Sequence, residues 1–164
     1  MPALCGLPCR VRAWSLAHQR HLPIFIVVET KQSPLKAPFS SVQPETFTSA
    51  VFDALDSEIK TVVAQNEMIT PDQVRGTHAT LQEAALAHHW PTLAEARGKV
   101  VFLMDQQNVG AVYFEGHPSL EGRIPFTNAT PGTPDAASSS GAQILSTDYP
   151  ASEAATSVHD DNQM

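Results

Sequence analysis

The chain has 164 residues, of which 42 % are hydrophobic and 16 % are charged, a composition typical of a folded domain and not of a disordered chain. Asp and Glu outnumber Lys and Arg by 17 to 10, so the formal net charge is −7. Because non-specific binding to nucleic acid needs many Lys and Arg to neutralise phosphates, nucleic acid is excluded as an expected partner. The sequence also shows no signal peptide and no run near the roughly 20 apolar residues of a membrane span, so we expect a soluble chain of unknown localisation.

The first predicted elements are a helix and a strand. Residues 10–20 have the spacing of an amphipathic helix, which we expect to end before Pro23. Residues 24–28 then form an unbroken β-branched and aromatic run, typical of a strand buried on both faces of a parallel sheet. We predict a strand here, with Glu29 at its end.

The middle of the chain predicts a loop followed by several helices. Residues 32–45 contain three prolines and no period, which indicates a loop, whereas apolar residues recur at helical spacing over 46–62. Three threonines are predicted to begin helices: Thr70, Thr80 and Thr92. Glu83 lies three residues after Thr80, and Glu95 lies three residues after Thr92, which is the spacing of a capping box.

Three further apolar runs predict strands. The clearest occupies residues 99–105 and ends in Asp105; weaker candidates are 123–128, which contains Pro125, and 142–148, which ends in Asp148. Strands separated by helices indicate an α/β protein with a parallel sheet, and active sites of such folds lie where the strands end. Three strand ends therefore bring Glu29, Asp105 and Asp148 to one candidate edge, although acidic residues are also ordinary in caps and turns.

A series of short segments between residues 12 and 150 carries a family resemblance. The segments are 12–15, 21–23, 24–31, 55–56, 69–76, 90–93, 97–100, 126–129 and 146–150. In this order and spacing they resemble the bacterial and fungal calcium-dependent phosphoinositide phospholipase C family. That resemblance implies a TIM-like barrel that cleaves the phosphodiester of phosphatidylinositol with calcium as cofactor.

The resemblance also implies roles for individual residues. Glu29 would be a calcium ligand, and Lys31, two residues further along an extended chain, would face the substrate phosphate as a catalytic residue. Asp105 and Asp148 would line the site. The alternative for Glu29 and Lys31 is an ion pair at a strand end, and Asp148 equally suits the turn before Pro150.

The sequence departs from the family pattern in ways that affect the expected fold and activity. The family carries its catalytic histidines on strands before the matched segment, and four strand candidates are half of the eight that close a barrel. We therefore predict a partial, open, TIM-barrel-like sheet with surrounding helices in residues 1–150, followed by a disordered tail, 151–164.

Three functional hypotheses remain open. The first is a phospholipase C-type phosphoric diester hydrolase that acts on phosphatidylinositol-like lipids, with activity in question because the histidine strands are missing. The second is an inactive homologue that acts as a binding or interaction protein. The third is a sugar-processing enzyme that uses Glu29 and Asp105 as paired carboxylates.

Overall fold

The computed structural model describes residues 6–30, 44–105 and 109–127, with only the backbone described at Asp105. The strands are β1 (Ile24–Glu29), β2 (Met68–Ile69), β3 (Val100–Asp105) and β4 (Phe126–Thr127). The helices are α1 (Leu7–Ala17), α2 (Ser49–Val62), α3 (Pro71–Arg75), α4 (Leu81–Leu86), α5 (Leu93–Ala96) and α6 (Gly110–Phe114), with short 3-10 turns at Gln65–Glu67 and Pro118–Leu120.

The strands form an open parallel sheet with β3 at its centre. β1 pairs with β3 along six residues, from Ile24 opposite Val100 to Glu29 opposite Asp105. Since β1 occupies one whole edge of β3, the short strands β2 and β4 share the other edge, β2 near the start of β3 and β4 near its end. The predicted α/β class with a parallel, open sheet is confirmed.

Within the predicted strand 123–128, Phe126 and Thr127 pair with β3, whereas residues 123–125 lie before the strand and Asn128 lies outside the described residues. Pro125 has no N–H to donate to a ladder, and the Arg123 side chain is held by α2 and α6 as described below. The predicted strand 142–148 and the tail 151–164 lie outside the described residues, so both remain predictions, as does the domain division at residue 150.

Side-chain caps begin the helices at the predicted threonines. The hydroxyls of Thr70, Thr80 and Thr92 each accept a hydrogen bond from the backbone N–H three residues later. Thr92 and Glu95 form the predicted reciprocal box. Glu83 differs, since its carboxylate accepts from the N–H of Ala79 instead of Thr80. A further box, formed by Gln73 with Thr70, was not predicted.

The two faces of the sheet are packed differently. One face of β1 and β3, including Ile26 and Phe102, packs against the apolar stripe of α2 that contains Ile59 and Val62. On the opposite face, the buried residues of β2, β3 and β4 pack with α3 and α5; these are Ile69, Val74, Ala96, Val101 and Phe126. The core therefore lies over β3 on both sides, and β1 forms its flank.

A buried ion network joins α2 to the start of β4. Arg123 is 1 % exposed and donates to Asp53 at 2.7 Å and to Asp56 at 2.9 Å. Its guanidinium lies 4.6 Å from the ring centre of Tyr113, and its Nε donates to the Tyr113 carbonyl. Asp56 also accepts from the N–H of Ile124. The network fixes β4 against the helical layer.

None of the helices in the described ranges is long and apolar enough to cross a bilayer.

Candidate functional site

The carboxyl edge of the sheet brings together the ends of β1, β3 and β4. Glu29 ends β1 directly opposite Asp105, which ends β3, and neighbouring strands lie about 4.8 Å apart. Thr127, the last residue of β4, pairs with Met104 one position before Asp105. The carboxylate of Glu29 is exposed to solvent, because its strand lies at the flank of the sheet.

The backbone positions of two predicted site residues are therefore adjacent. Glu29 and Asp105 are 76 positions apart in the chain, and only the pairing of β1 with β3 brings them together. Lys31 and Asp148 lie outside the described residues, and their predicted roles stay predictions. Thr127 was not predicted as a site residue, and its position in β4 beside Met104 is what places it at this edge.

The acidic residues at this edge are of a type that binds calcium. Calcium is a hard cation that takes six to eight oxygen ligands, and the carboxylates of Glu29 and Asp105 are ligands of that type. Within the described residues, no group of three or more His, Cys, Asp or Glu side chains is close enough to hold a metal ion. The edge thus carries two acidic residues with adjacent backbone positions, Glu29 and Asp105, of the type that calcium binds.

The hydrogen bonds of His21, His89 and His117 lie away from this edge. His21 lies before β1 and its Nε2 is 2.6 Å from the Ser15 hydroxyl. His89 hydrogen-bonds the Val74 carbonyl, and His117 hydrogen-bonds the Glu121 carbonyl. These hydrogen bonds connect the histidines to other parts of the fold.

A cavity of about 530 Å³ lies elsewhere, near the amino end of β3. Its polar lining includes Lys99, which directly precedes β3, together with His89 and Glu95. The Glu95 carboxylate caps α5 through Thr92, and these hydrogen bonds lower its pKa. His89 is engaged by the Val74 carbonyl. Because these groups already serve local structure, the cavity is a weaker candidate than the carboxyl edge.

A family model and solved structures both match this chain. Residues 4–139 match the model of a family described as phosphoinositide phospholipase C, Ca²⁺-dependent. Among solved structures, the chain is similar to a calcium-dependent phosphoinositol-specific phospholipase C from Pseudomonas sp., with a TM-score of 0.55, 24 % identity and 76 % of this chain covered. It is also similar to a Ca²⁺-dependent phosphatidylinositol-specific phospholipase C from Streptomyces antibioticus, with a TM-score of 0.54, 23 % identity and the same coverage.

The extent of the structural match is partial. The chain spans 41 % of the length of each of these two structures. At this level of identity the structures establish a shared fold, whereas the family match rests on the sequence of residues 4–139. No curated protein matches the chain.

Proposed function

The chain belongs to the calcium-dependent phosphoinositide phospholipase C family, and from this premise we propose that the carboxyl edge of its sheet is the calcium- and phosphate-binding part of a phosphodiester site. The observation that carries the proposal is the register of β1 and β3, which sets Glu29 opposite Asp105. Two acidic positions side by side at the open end of parallel strands favour a cation. The proposed substrate is a phosphatidylinositol-type lipid.

The chemistry assigns a different task to each side chain. Glu29 and Asp105 provide negative charge and oxygen atoms that would hold calcium at the mouth of the sheet. When bound, calcium supplies positive charge that offsets the charge of the substrate phosphate. Lys31 follows Glu29 by two positions, and its ammonium group would bind a phosphate oxygen from the protein side. Together the three residues bind and orient the phosphodiester.

Turnover requires more than these three residues. Cleavage by an attacking hydroxyl needs a base for that hydroxyl and an acid for the leaving oxygen, and histidine usually fills such roles near neutral pH. The described hydrogen bonds of His18, His21, His89 and His117 go to other parts of the fold; their partners are Trp14, Ser15, Val74 and Glu121. This observation favours a second candidate function, in which the chain binds the phosphodiester head group with calcium and does not cleave it.

Two measurements on the folded 164-residue chain separate the candidates. The first is binding of inositol phosphate with calcium and with a chelator. The second is cleavage of phosphatidylinositol vesicles under the same two conditions. We expect calcium-dependent binding that Lys31→Ala weakens by about tenfold, as loss of one charge-assisted contact does. Lys60→Ala, which removes an exposed lysine on α2, is the matched control and should leave binding unchanged.

The outcomes discriminate clearly. Binding together with chelator-sensitive cleavage supports the hydrolase, and binding without cleavage supports the second candidate. Binding that is indifferent to the chelator and to Lys31→Ala would overturn the proposed site.

A further inference from the structure

The cavity near the amino end of β3 has the size of a small-molecule site. Its volume of about 530 Å³ lies within the range of about 300–1,000 Å³ that such sites occupy. All of its lining residues come from the continuous stretch 69–99, which the structure describes without a gap. Because Lys99 precedes β3 and Glu29 ends β1, the cavity and the carboxyl edge lie at opposite ends of the parallel sheet.

The turn that leads into the cavity has an unusual residue at its critical position. Helix α4 ends in a Schellman motif, in which the N–H of His88 donates to the carbonyl of Ala85 and the N–H of His89 donates to that of Ala84. The left-handed residue of this motif is usually glycine, whereas here it is His88, with φ +54. Backbone strain of this kind is concentrated at functional sites. The side chain of His88 lines the cavity, which gives a reason for histidine where the turn favours glycine.

The ring of His89, which also lines the cavity, is held in one orientation. Its Nδ1 donates to the carbonyl of Val74 at 2.7 Å, so Nε2 of the neutral ring is a hydrogen-bond acceptor. The ring edge lies against Gly76, where an added Cβ would be 2.8 Å from its Cε1 atom. The ring of His78 stands edge-on to it, with 5.2 Å between the ring centres. His89 therefore contributes an acceptor in a fixed position.

The other polar lining residues supply both donors and acceptors. Gln73 accepts from the N–H of Thr70 with Oε1, which leaves its amide N–H groups as donors, and the Lys99 ammonium is a donor only. Glu95 accepts from Thr92 with Oε2, which leaves Oε1 as an acceptor. Hydrogen bonds from Thr92 lower the pKa of Glu95, and the charge of Lys99 lowers it further. With neutral histidines, the charges of the lining residues sum to zero.

Trp90 gives the cavity an aromatic wall. Its ring centre lies 5.7 Å from that of Phe126, and it packs against the core formed by β2, β3 and β4 while remaining partly exposed. Pro91 adds further apolar surface beside it. An anchored aromatic ring that lines a polar cavity is a stacking surface for the apolar face of a ligand.

We propose that this cavity binds a neutral sugar ring. Lys99 repels a simple cation and Glu95 repels a simple anion, whereas a hydroxyl group donates and accepts at once and can bind both residues. The C–H groups on one face of the sugar would stack on Trp90. A monosaccharide has about a dozen heavy atoms, and at roughly 30 Å³ for each it fits within the cavity.

The fluorescence of Trp90 tests the proposal on the full chain. The chain has two tryptophans, so Trp14→Phe leaves Trp90 as the only reporter. The probes are the methyl pyranosides of glucose, galactose and mannose, with sodium phosphate and tetramethylammonium chloride as the anion and cation for comparison. We expect a saturable change with at least one pyranoside and none with either ion. A calcium chelator should not alter this result, because the carboxyl edge lies at the other end of the sheet.

Two variants test the lining residues in the same background. Lys99→Met keeps the length of the side chain and should weaken sugar binding by about tenfold, as loss of one charge-assisted hydrogen bond does. The matched control is Lys60→Met, which removes an exposed lysine on α2 and should leave binding unchanged. His88→Gly introduces the residue that the turn favours, so the fold should be retained while the affinity for the sugar falls severalfold.

Three results would overturn the proposal once circular dichroism has established that each protein is folded. The first is the absence of a saturable change with any of the three pyranosides. The second is a stronger response to phosphate or tetramethylammonium, which would make the cavity an ion site. The third is equal sugar affinity in the parent, Lys99→Met and His88→Gly proteins, which would place the sugar elsewhere.

Discussion

Arg123 is the residue on which the packing of the helical layer against β4 depends most directly. Its charge is buried and is balanced by two carboxylates of unequal exposure: the Asp56 side chain is 6 % exposed and that of Asp53 is 58 % exposed. Tyr113 lies beneath the guanidinium, and burial raises the pKa of its hydroxyl group. The hydroxyl donates to the carbonyl of Pro125, which adds a second link to the start of β4.

The two carboxylates should therefore differ sharply in their contribution to stability. Asp56→Ala removes a buried partner of Arg123 and leaves the N–H of Ile124 unpaired, so we expect a loss of about 3–5 kcal/mol in the free energy of unfolding. Asp53→Ala should cost less than about 1 kcal/mol, because exposed ion pairs contribute little. Urea denaturation measures both, and equal losses would contradict the assignment.

Gly98 is a second residue for which the local geometry dictates the side chain. It has φ +74, and a Cβ added there would lie 2.5 Å from the backbone oxygen of Gln19. Its own N–H donates to the carbonyl of His21, so the turn before β3 is tied to the segment before β1. Gly116 has a similar φ of +75 but no atom within 4 Å of the added Cβ.

Alanine substitutions at Gly98 and Gly116 separate two contributions to the free energy of unfolding: the steric contact of an added Cβ and the positive φ of the backbone. Gly116→Ala should destabilise the fold by about 1 kcal/mol through φ alone. Gly98→Ala should cost about 3 kcal/mol or more, because the rigid backbone of Gln19 must also move. Thermal or urea unfolding compares them, and a Gly98→Ala cost no larger than that of Gly116→Ala would contradict the close approach.

At the scale of elements, the sequence predicts what depends on local pattern. β1 and β3 are long apolar runs without alternation, and α2 has a clear helical period. These two strands and this helix were therefore predicted close to their observed positions. The two-residue strand β2 and the five-residue helix α6 were not predicted. They are too short to show a period, and tertiary contacts determine them: β2 exists because it pairs with Val100 and Val101.

For the candidate site, too, the sequence predicts local features but does not predict which strands are neighbours. The sequence predicts that Glu29 and Asp105 each end a strand, and the family resemblance predicts Glu29 as a calcium ligand. The sequence does not predict that the two residues are adjacent, because β3 lies beside β1 in the sheet although β2 comes between them in the sequence. Strand order is decided by the packing of whole elements and leaves no mark on the residues at the strand ends.

At the scale of the whole molecule, the acidic charge and the proposed substrate fit together only through a cation. A chain with a net charge of −7 repels a phosphodiester, and two acidic residues at adjacent backbone positions, Glu29 and Asp105, add negative charge at this edge. Calcium bound at this edge would reverse the sign of the local charge, as we propose for this member of a calcium-dependent family. The proposed site therefore requires that calcium binds at Glu29.

Calorimetric titration of calcium into the folded chain tests this claim most directly. We expect measurable binding to the wild type, and binding weaker by about tenfold or more in Glu29→Gln, since the charge of the ligands sets calcium affinity. Glu115→Gln, which neutralises an exposed carboxylate just after α6, should bind as the wild type does. Equal calcium affinity in the wild type and in folded Glu29→Gln would contradict the account.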